Sequence, residues 1–400
     1  MVLRLEPDDL EAPDDRYHRQ ALIPWWDQHR VATARILVIG AGALGNEILK
    51  TLALIGVGRV IVADMDRIER SNLNRSVLFR EEDEGELKSD VAVRRMRRLN
   101  PDVRAHSIPE NALHGLGIGA FCWADVVICG VDNREARIFV NSSCALTRTT
   151  WVDGAIEGFA GTVRAFRPHD GVCYECTMNE TDRKLVAERR SCALLARDIV
   201  AQGHVPATAS TAALVGALQV QEAIKILHEQ PALIGEGLHI DGFHGRVDRV
   251  GYPRRDDCYG HETVDEIVPL PLRAEDATLG ALLDRAEEEC GPGAALEWSR
   301  DLVGALICPS CDTREAVGRT LGAVAERDAK CPSCGEHRAL DVLSAVDRGT
   351  DIDLDRPLAE IGVPPWDVVH ARLGLEASRT WLLAGDEPAL DTPEGQGENS

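Results

Sequence analysis

The sequence contains no apolar run of about 18 residues, the length that a membrane-spanning helix requires. Its acidic first 15 residues carry no apolar signal region. It also lacks an excess of positive charge, because 44 Lys and Arg stand against 66 Asp and Glu, for a net charge of −22. A broad nucleic-acid-binding face needs cations to neutralise phosphates, so nucleic acid is disfavoured as a partner. We expect a cytoplasmic protein whose negative charge gives solubility or, alternatively, attracts a basic partner.

Four hundred residues suit two or three domains, and the composition is that of an ordinary globular chain. Without a secretory signal, the 12 cysteines suggest metal ligands and reactive thiols rather than disulfides. We predict an α/β protein with the following organisation: a flexible N-terminus (1–15), a Rossmann-like domain (16–265), a smaller domain that contains paired cysteines (266–348), a C-terminal segment (349–385) with a helix and a closing strand at 381–383, and a disordered tail (386–400).

A glycine motif dominates the first half of the chain. Residues 36–39 form a short β-branched run typical of a buried parallel strand, and a helix is predicted at 46–54. Between them lie Gly40, Gly42 and Gly45 in the spacing Gly-x-Gly-x-x-Gly. Such a turn lets the backbone approach a phosphate, and the following helix offers free N–H groups. Alone, the motif favours a dinucleotide-binding oxidoreductase.

The residues after the second strand change this interpretation. That strand, at 59–63, is followed by Asp64 and Asp66, and an acid here is placed to hydrogen-bond a ribose hydroxyl of either NAD or ATP. Asn72, Arg75 and Lys88 then supply polar and cationic groups that a nicotinamide enzyme does not need. An enzyme that cleaves ATP between its α- and β-phosphates does need them, because charge builds on the departing pyrophosphate.

A strand at 124–130 ends two residues before Asp132. A carboxylate at this strand end can hold Mg²⁺ against phosphate oxygens. The alternative role for Asp132 is the N-cap of the helix that begins near Arg134.

Together these motifs, in this order, resemble the ThiF/MoeB/ubiquitin-activating-enzyme family over about residues 16–262. The resemblance implies that ATP and Mg²⁺ are used to adenylate the C-terminal glycine carboxylate of a ubiquitin-like or sulfur-carrier protein. It also implies the following roles: Asp64 holds the ribose, Arg75 and Lys88 contact the phosphates, Asn72 lines the site, and Asp132 binds magnesium. The stretch at 16–20 resembles the family's N-terminal Arg-Tyr-x-Arg-Gln, which implies that Arg19 reaches into the ATP site of the partner subunit in a homodimer.

Two sets of metal ligands are predicted. Cys173 and Cys176 form the first pair, as in the family, and Cys258 with His261 replaces the family's second Cys-x-x-Cys. A Cys₃His set suits a structural zinc ion, the alternative being a His261 that does not bind. Two further Cys-Pro-Ser-Cys pairs indicate a zinc ribbon, and their cysteines are Cys308, Cys311, Cys331 and Cys334.

Cys192 has no pairing partner and lies next to Arg189 and Arg190, which would lower its pKa and favour the thiolate. It precedes a helix at 208–227 that resembles the family helix after the catalytic cysteine, so the resemblance implies a nucleophile; the alternative is a small packing residue. The remaining cysteines lie in or beside apolar stretches and are interpreted as packing residues: Cys122, Cys129, Cys144 and Cys290.

We therefore expect an activating enzyme that adenylates a ubiquitin-like protein, forms a thioester on Cys192 and passes it to a conjugating enzyme. The alternative within the family is a sulfur-carrier-protein adenylyltransferase that stops at the acyl-adenylate. Two other classes are an NAD-dependent oxidoreductase and a scaffold that keeps only the fold.

Overall fold

The computed structural model describes residues 15–184, 206–324 and 326–385. Before residue 266 the strands are β1 (Arg35–Ile39), β2 (Arg59–Ala63), β3 (Arg104–Ile108), β4 (Val126–Cys129), β5 (Thr150–Glu157), β6 (Ala160–Phe166), β7 (Glu236–Asp241) and β8 (Arg246–Gly251). The helices there are α1 (His18–Ala21), α2 (Gln28–Thr33), α3 (Ala43–Ile55), α4 (Lys88–Leu99), α5 (Gly119–Trp123), α6 (Arg134–Thr147) and α7 (Ala209–Leu227). Within the described ranges, no helix is both long and apolar enough to cross a membrane.

These strands form one eight-stranded sheet in the order β3-β2-β1-β4-β5-β6-β7-β8. The strands from β3 to β5 in this order are parallel, and β6, β7 and β8 continue the sheet antiparallel. The predicted strands at 36–39, 59–63 and 124–130 are confirmed as β1, β2 and β4, and the predicted helices at 46–54 and 208–227 as α3 and α7. The mixed α/β class with a large parallel sheet is thereby confirmed.

Strand β1 reads as an unbroken apolar run because both of its faces are covered. Ile36 and Val38 belong to the core that contains residues of α3, α4 and α7, whereas Leu37 and Ile39 belong to the core that contains residues of α5 and α6. Helix α3 buries Leu52 completely against the sheet, so replacing it with Ala would cost about 2–5 kcal/mol of unfolding free energy. This packing holds the carboxyl ends of the parallel strands at one edge.

The rest of the chain builds two smaller sheets. Its elements are β9 (Val268–Arg273), α8 (Leu279–Cys290), β10 (Ala295–Trp298), β11 (Leu302–Ile307), β12 (Arg314–Thr320), β13 (Ala339–Leu343), β14 (Val368–Leu373) and β15 (Ala377–Ala384). One sheet has the order β10-β14-β15-β9 and packs on α8, and the other has the order β12-β11-β13. The edge position of β9 accommodates its two prolines, which cannot donate to a neighbouring strand.

The segment at 349–385 differs from the prediction of a helix and one strand. The described structure has a single 3₁₀ turn there, Leu358–Ile361, followed by the two strands β14 and β15. The predicted closing strand at 381–383 is part of β15, and β14 was missed. Strand β14 pairs with β10 and strand β15 pairs with β9, so the sheet crosses the predicted boundary at residue 348. The domain limits themselves stay predictions.

A buried ion pair joins this smaller part to the helices of the large sheet. Arg300 donates to the Asp367 carboxylate and to the main-chain oxygen of Leu116, and its side chain and that of Asp367 are 2% and 1% exposed. The other Asp367 oxygen accepts the N–H of Ile118, immediately before α5, at 3.1 Å. The two parts therefore meet at a fixed contact.

Candidate nucleotide site and cysteine clusters

The predicted nucleotide residues follow three neighbouring strands. Gly40 follows β1, Asp64 follows β2, and Asp132 lies in the turn after β4. Because β1 pairs with both β2 and β4 in parallel, their carboxyl ends meet at the same edge of the sheet. The fold thus brings these three positions together.

The three glycines of the turn have different physical roles. Gly40 has a φ of +95°, and a Cβ there would lie 2.9 Å from the Gly130 oxygen. A Cβ on Gly45 would lie 2.0 Å from the Gly40 oxygen, so both positions require glycine for packing. A Cβ on Gly42, the N-cap of α3, would meet no heavy atom within 4 Å. The space beside Gly42 is therefore open to a ligand that approaches the helix N-terminus.

Asp64 holds this turn and remains able to accept a further hydrogen bond. Its Oδ2 accepts the N–H of Ala41 at 2.6 Å, and its Oδ1 accepts the N–H of Asp66 at 2.8 Å. Burial raises the pKa of the Asp64 carboxyl above its ordinary value, and the Ala41 N–H and the Lys88 ammonium only partly oppose this. Each carboxylate oxygen keeps a second lone pair that a ribose hydroxyl can use.

Lys88, the first residue of α4, donates to Asp66 Oδ2 at 2.8 Å. Its side chain is 12% exposed, whereas that of Asp66 is 56% exposed. An ammonium in this position would have to exchange the carboxylate for a phosphate when a nucleotide binds.

Arg75 and Asn72 lie on the loop between β2 and α4. Arg75 Nη1 donates to the Ser71 oxygen at 2.6 Å and to Asn74 Oδ1 at 2.9 Å. Asn72 Oδ1 accepts the N–H of Glu69 at 3.0 Å, which closes the 3₁₀ turn there. Both residues are therefore engaged within their own loop.

Asn46, which the sequence interpretation missed, links this loop to the glycine turn. Its buried side chain donates to the oxygens of Ala41 and Gly42, at 2.7 and 3.1 Å, and accepts the N–H of Leu78 at 2.8 Å. The sequence signal for this role was the presence of an amide side chain in the mostly apolar helix α3. Asn46 fixes the loop that carries Arg75 relative to the phosphate-accessible backbone.

The turn after β4 shows that Asp132 does not have the capping role weighed for it. The N-cap of α6 is Asn133, whose Oδ1 accepts the N–H of Ala136 at 2.8 Å. Asp132 is exposed and its carboxylate takes no part in that cap. A carboxylate is a ligand type that magnesium prefers, so Asp132 could hold such an ion here.

A second feature missed at the sequence level is a buried group of two arginines and one aspartate. Arg137 Nε donates to Asp153 Oδ1 at 2.8 Å, and Arg164 Nε donates to Asp153 Oδ2 at 3.1 Å. Burial alone would raise the pKa of Asp153, but the two guanidiniums outweigh it and hold that pKa below its ordinary value. Asp153 therefore remains ionised although it is fully buried.

Cys173, Cys176, Cys258 and His261 lie with one ligand atom each within 4.8 Å of one another. Two Sγ–Sγ distances are 3.7 Å (Cys173 to Cys176) and 3.5 Å (Cys173 to Cys258), close to the ~3.8 Å that a tetrahedral Zn²⁺ with ~2.3 Å bonds sets. His261 Nε2 lies 3.1 Å from Cys176 Sγ, and its Nδ1 lies 2.7 Å from the Pro168 oxygen. That carbonyl accepts an Nδ1–H and so leaves the Nε2 lone pair for the metal.

The four ribbon cysteines also lie within 4.8 Å of one another, two after β11 and two before β13. Cys308 Sγ is 3.4 Å from Cys334 Sγ, and Cys311 Sγ is 3.6 Å from Cys331 Sγ. A Cys₄ set of this kind fits a structural zinc ion with no position open for water.

Arg19 is exposed on α1, and its neighbour Tyr17 shows where that helix is anchored. The Tyr17 hydroxyl accepts from Asn100 at 2.7 Å, and its ring lies against Gly56, which ends α3. Helix α3 has 13 residues, which places Gly42 about 20 Å away at its other end. The structure therefore does not bring Arg19 to the site in its own chain.

Cys192 lies outside the described residues. The cysteines interpreted as packing residues have weakly acidic thiols, since burial raises the pKa of Cys122 to about 11 and that of Cys129 to about 12. Burial also raises the pKa of Cys144 and Cys290. None of these four thiols is activated as a nucleophile.

A family model described as "ThiF family" matches residues 17–260. The chain belongs to the ThiF family. This confirms the resemblance drawn from the motifs.

Two relatives illustrate the range of similar proteins. The chain is 38% identical over 226 residues to a sulfur carrier protein adenylyltransferase of Thermus thermophilus, covering 53% of this chain and 77% of that one. It is 32% identical over 283 residues to a SAMP-activating enzyme E1 of Haloferax volcanii, covering 67% of this chain and 95% of that one. Among solved structures, Escherichia coli MccB with ATP has a TM-score of 0.53 at 22% identity, covering 64% of this chain and 75% of MccB. That likeness establishes the fold.

Proposed function

We propose that the protein uses ATP to adenylate the C-terminal carboxylate of a small carrier protein of the sulfur-carrier or ubiquitin-like class. The observation that carries this proposal is the convergence of an open glycine turn, Asp64 and the exposed carboxylate of Asp132 at one sheet edge. Relatives named sulfur carrier protein adenylyltransferases support it and favour the sulfur-carrier alternative over the expected conjugation pathway. Membership in this family also favours ATP over NAD.

The site residues act on ATP in the following way. The backbone beside Gly42 and the N-terminus of α3 bind phosphate oxygens, and Asp64 accepts a ribose hydroxyl. Asp132 would hold Mg²⁺, which supplies positive charge next to the phosphates when bound. Lys88 and Arg75 leave their present partners and stabilise the negative charge that develops on pyrophosphate.

The reaction needs no nucleophile from the enzyme. An oxygen of the carrier's terminal carboxylate attacks the α-phosphorus, the bond from this phosphorus to the α,β-bridging oxygen breaks, and pyrophosphate leaves with the electron pair. The product is a mixed anhydride whose adenylate is a good leaving group. A sulfur donor or a thiolate can then take the acyl carbon.

We also propose that both cysteine sets hold structural zinc and that the enzyme is a homodimer in which Arg19 completes the partner's site. The distance along α3 from Tyr17 to Gly42 supports an action in trans. Mixed dimers of an Arg19→Ala chain and an Arg75→Ala chain should recover activity in one composite site. No recovery in verified mixed dimers would remove Arg19 from the mechanism.

Exchange of label between pyrophosphate and ATP tests the proposed function. Exchange should require the carrier, Mg²⁺ and the carrier's terminal glycine, because only that carboxylate can form and reverse the adenylate. A carrier shortened by its last glycine is the matched control. Exchange that is absent with every sulfur-carrier and ubiquitin-like protein encoded beside this chain would contradict the proposal.

A second candidate function adds a thioester on Cys192, and relatives named E1 enzymes favour it. Cys192→Ala should then keep pyrophosphate exchange and lose a reductant-sensitive band that joins enzyme and carrier. Cys290→Ala is the control, because that thiol is buried and has a raised pKa. A wild-type chain that forms no such band with its carrier stops at the adenylate.

A further inference from the structure

The main chain of the turn between β4 and α6 is fixed at three points around Asp132, whose exposed carboxylate accepts a long hydrogen bond, 3.4 Å, from Asn133 Nδ2. Gln219, buried on α7, donates to the Cys129 oxygen at 2.8 Å before the turn. Asn133 caps α6 after it. Between them, Arg137 Nη2 donates to the Val131 oxygen at 2.7 Å. The peptide bond whose carbonyl Arg137 holds is the one that leads directly into Asp132.

Arg137 can hold this carbonyl because its guanidinium is itself fixed on two sides. Its side chain is 9% exposed and its partner Asp153 is fully buried. A further bond runs from Nη2 to the Gly154 oxygen at 3.0 Å. The planar guanidinium therefore hydrogen-bonds β5 and the turn at the same time. The single ammonium of a lysine cannot reproduce this set of contacts.

The same aspartate leads to the first cysteine cluster. Arg164, whose Nε donates to Asp153, also donates through Nη1 to Thr177 Oγ1 at 3.2 Å. Its guanidinium carbon lies 5.1 Å from the centroid of the Tyr174 ring. Tyr174 lies between Cys173 and Cys176, and Thr177 follows them. A continuous set of charged contacts thus connects the cluster to the turn.

We propose that Arg137 is a positioning residue for Asp132, and that Asp153 and Arg164 link its position to the first cysteine–histidine cluster. This inference rests on the proposed function, in which Asp132 binds magnesium. The role of Arg137 is to hold the main chain so that the carboxylate faces the phosphates before the metal arrives. Arg137 itself touches neither nucleotide nor metal.

Calorimetric titration of ATP into the full-length chain, with excess Mg²⁺ and without added Mg²⁺, tests the proposal. Arg137→Lys keeps the positive charge beside Asp153 but loses the hydrogen bond to the Val131 oxygen. It should reduce the gain in ATP affinity that Mg²⁺ gives by about 10-fold, the scale for groups that orient metal ligands. Its affinity for ATP without added Mg²⁺ should stay that of the wild type. Equal losses with and without Mg²⁺ would mark a merely structural role and overturn the proposal.

Arg300→Lys is the matched control, since Arg300 is a buried arginine that also bonds one aspartate and one main-chain oxygen. It should lower the unfolding temperature and leave the Mg²⁺ gain unchanged. Arg164→Lys should reduce that gain by a smaller factor, because the contacts to Thr177 and Tyr174 are lost. If Arg137→Lys does not fold, the proposal is tested with Arg164→Lys instead. An unchanged Mg²⁺-dependent increase in ATP affinity in that variant would overturn the proposal.

The wild-type chain distinguishes a failure of the proposed function from a failure of the positioning role of Arg137. A wild-type chain whose ATP affinity does not respond to Mg²⁺ would overturn the proposed function and this inference with it. A wild-type chain that responds, beside a folded Arg137→Lys variant with the full response, would overturn the inference alone.

Discussion

The two cysteine clusters have similar ligand geometry and different surroundings. In the first, Asn141 accepts the N–H of Tyr174 and donates to the Gly260 oxygen, so one buried amide joins both halves of the cluster to α6. Cys173 and Cys176 are buried. In the ribbon, Cys311 and Cys334 are exposed, and the cluster closes a three-stranded sheet of its own.

Ligand spacing therefore predicts a cluster that could hold a metal, but not which part of the protein that cluster supports. The first cluster is built into the part of the chain that carries the nucleotide residues. The ribbon belongs to the part beyond residue 266, which is joined through Arg300 and Asp367. We therefore expect changes in the first part to alter adenylation and changes in the ribbon to leave it intact.

The largest effect is expected from Asp132→Ala. Loss of the magnesium carboxylate should abolish detectable pyrophosphate exchange, while the unfolding temperature stays within the wild-type range because the side chain is exposed. Asp301→Ala, an exposed aspartate of the other part, is the control and should retain full exchange. Near-normal exchange in folded Asp132→Ala would remove this residue from the site.

His261→Ala should have the next largest effect. The wild type should contain about two zinc ions per chain, and this variant about one, because a three-ligand set holds zinc less tightly. Exchange should fall, since the cluster positions Tyr174 and Thr177 beside Arg164. If zinc analysis finds both ions retained, His261 is not a zinc ligand and the ligands from the first cluster are its three cysteines.

Cys311→Ser should have the smallest effect on exchange. The ribbon should lose its ion and become sensitive to proteases near β12 and β13, while the first cluster keeps its metal. Adenylation should continue at the wild-type rate because the ribbon contributes no residue to the nucleotide site. A loss of exchange equal to that of His261→Ala would contradict the expectation that only the first cluster affects adenylation.

The parts of the fold that were predicted from the sequence have local signals. The glycine turn, β1, β2, β4 and α3 follow from apolar runs and glycine spacing, and the acids after β2 and β4 follow from the rule that parallel strands end together. Both clusters of possible metal ligands were predicted because Cys-x-x-Cys pairs are short-range patterns, and His261 was predicted as a partner by its spacing from Cys258.

The missed features depend on pairings between distant residues. Arg137, Asp153 and Arg164 are each unremarkable in sequence. The pairing of β5 with β6 brings Asp153 beside Arg164, and Arg137 reaches Asp153 from α6. Strand β14 was missed because its partner β10 lies some 70 residues earlier, beyond the ribbon. Asn133 was not foreseen as the cap because Asp132 is an equally good capping residue by type.

Following the α- and γ-phosphates of ATP tests adenylation most directly. The protein, Mg²⁺ and the carrier should be incubated with ATP labelled at the α-phosphate and, separately, at the γ-phosphate, and the carrier then isolated under acid. We predict that the α-label stays with the carrier as an acyl-adenylate and that the γ-label leaves as pyrophosphate. Release of the γ-label as inorganic phosphate, with no α-label on the carrier, would contradict adenylation.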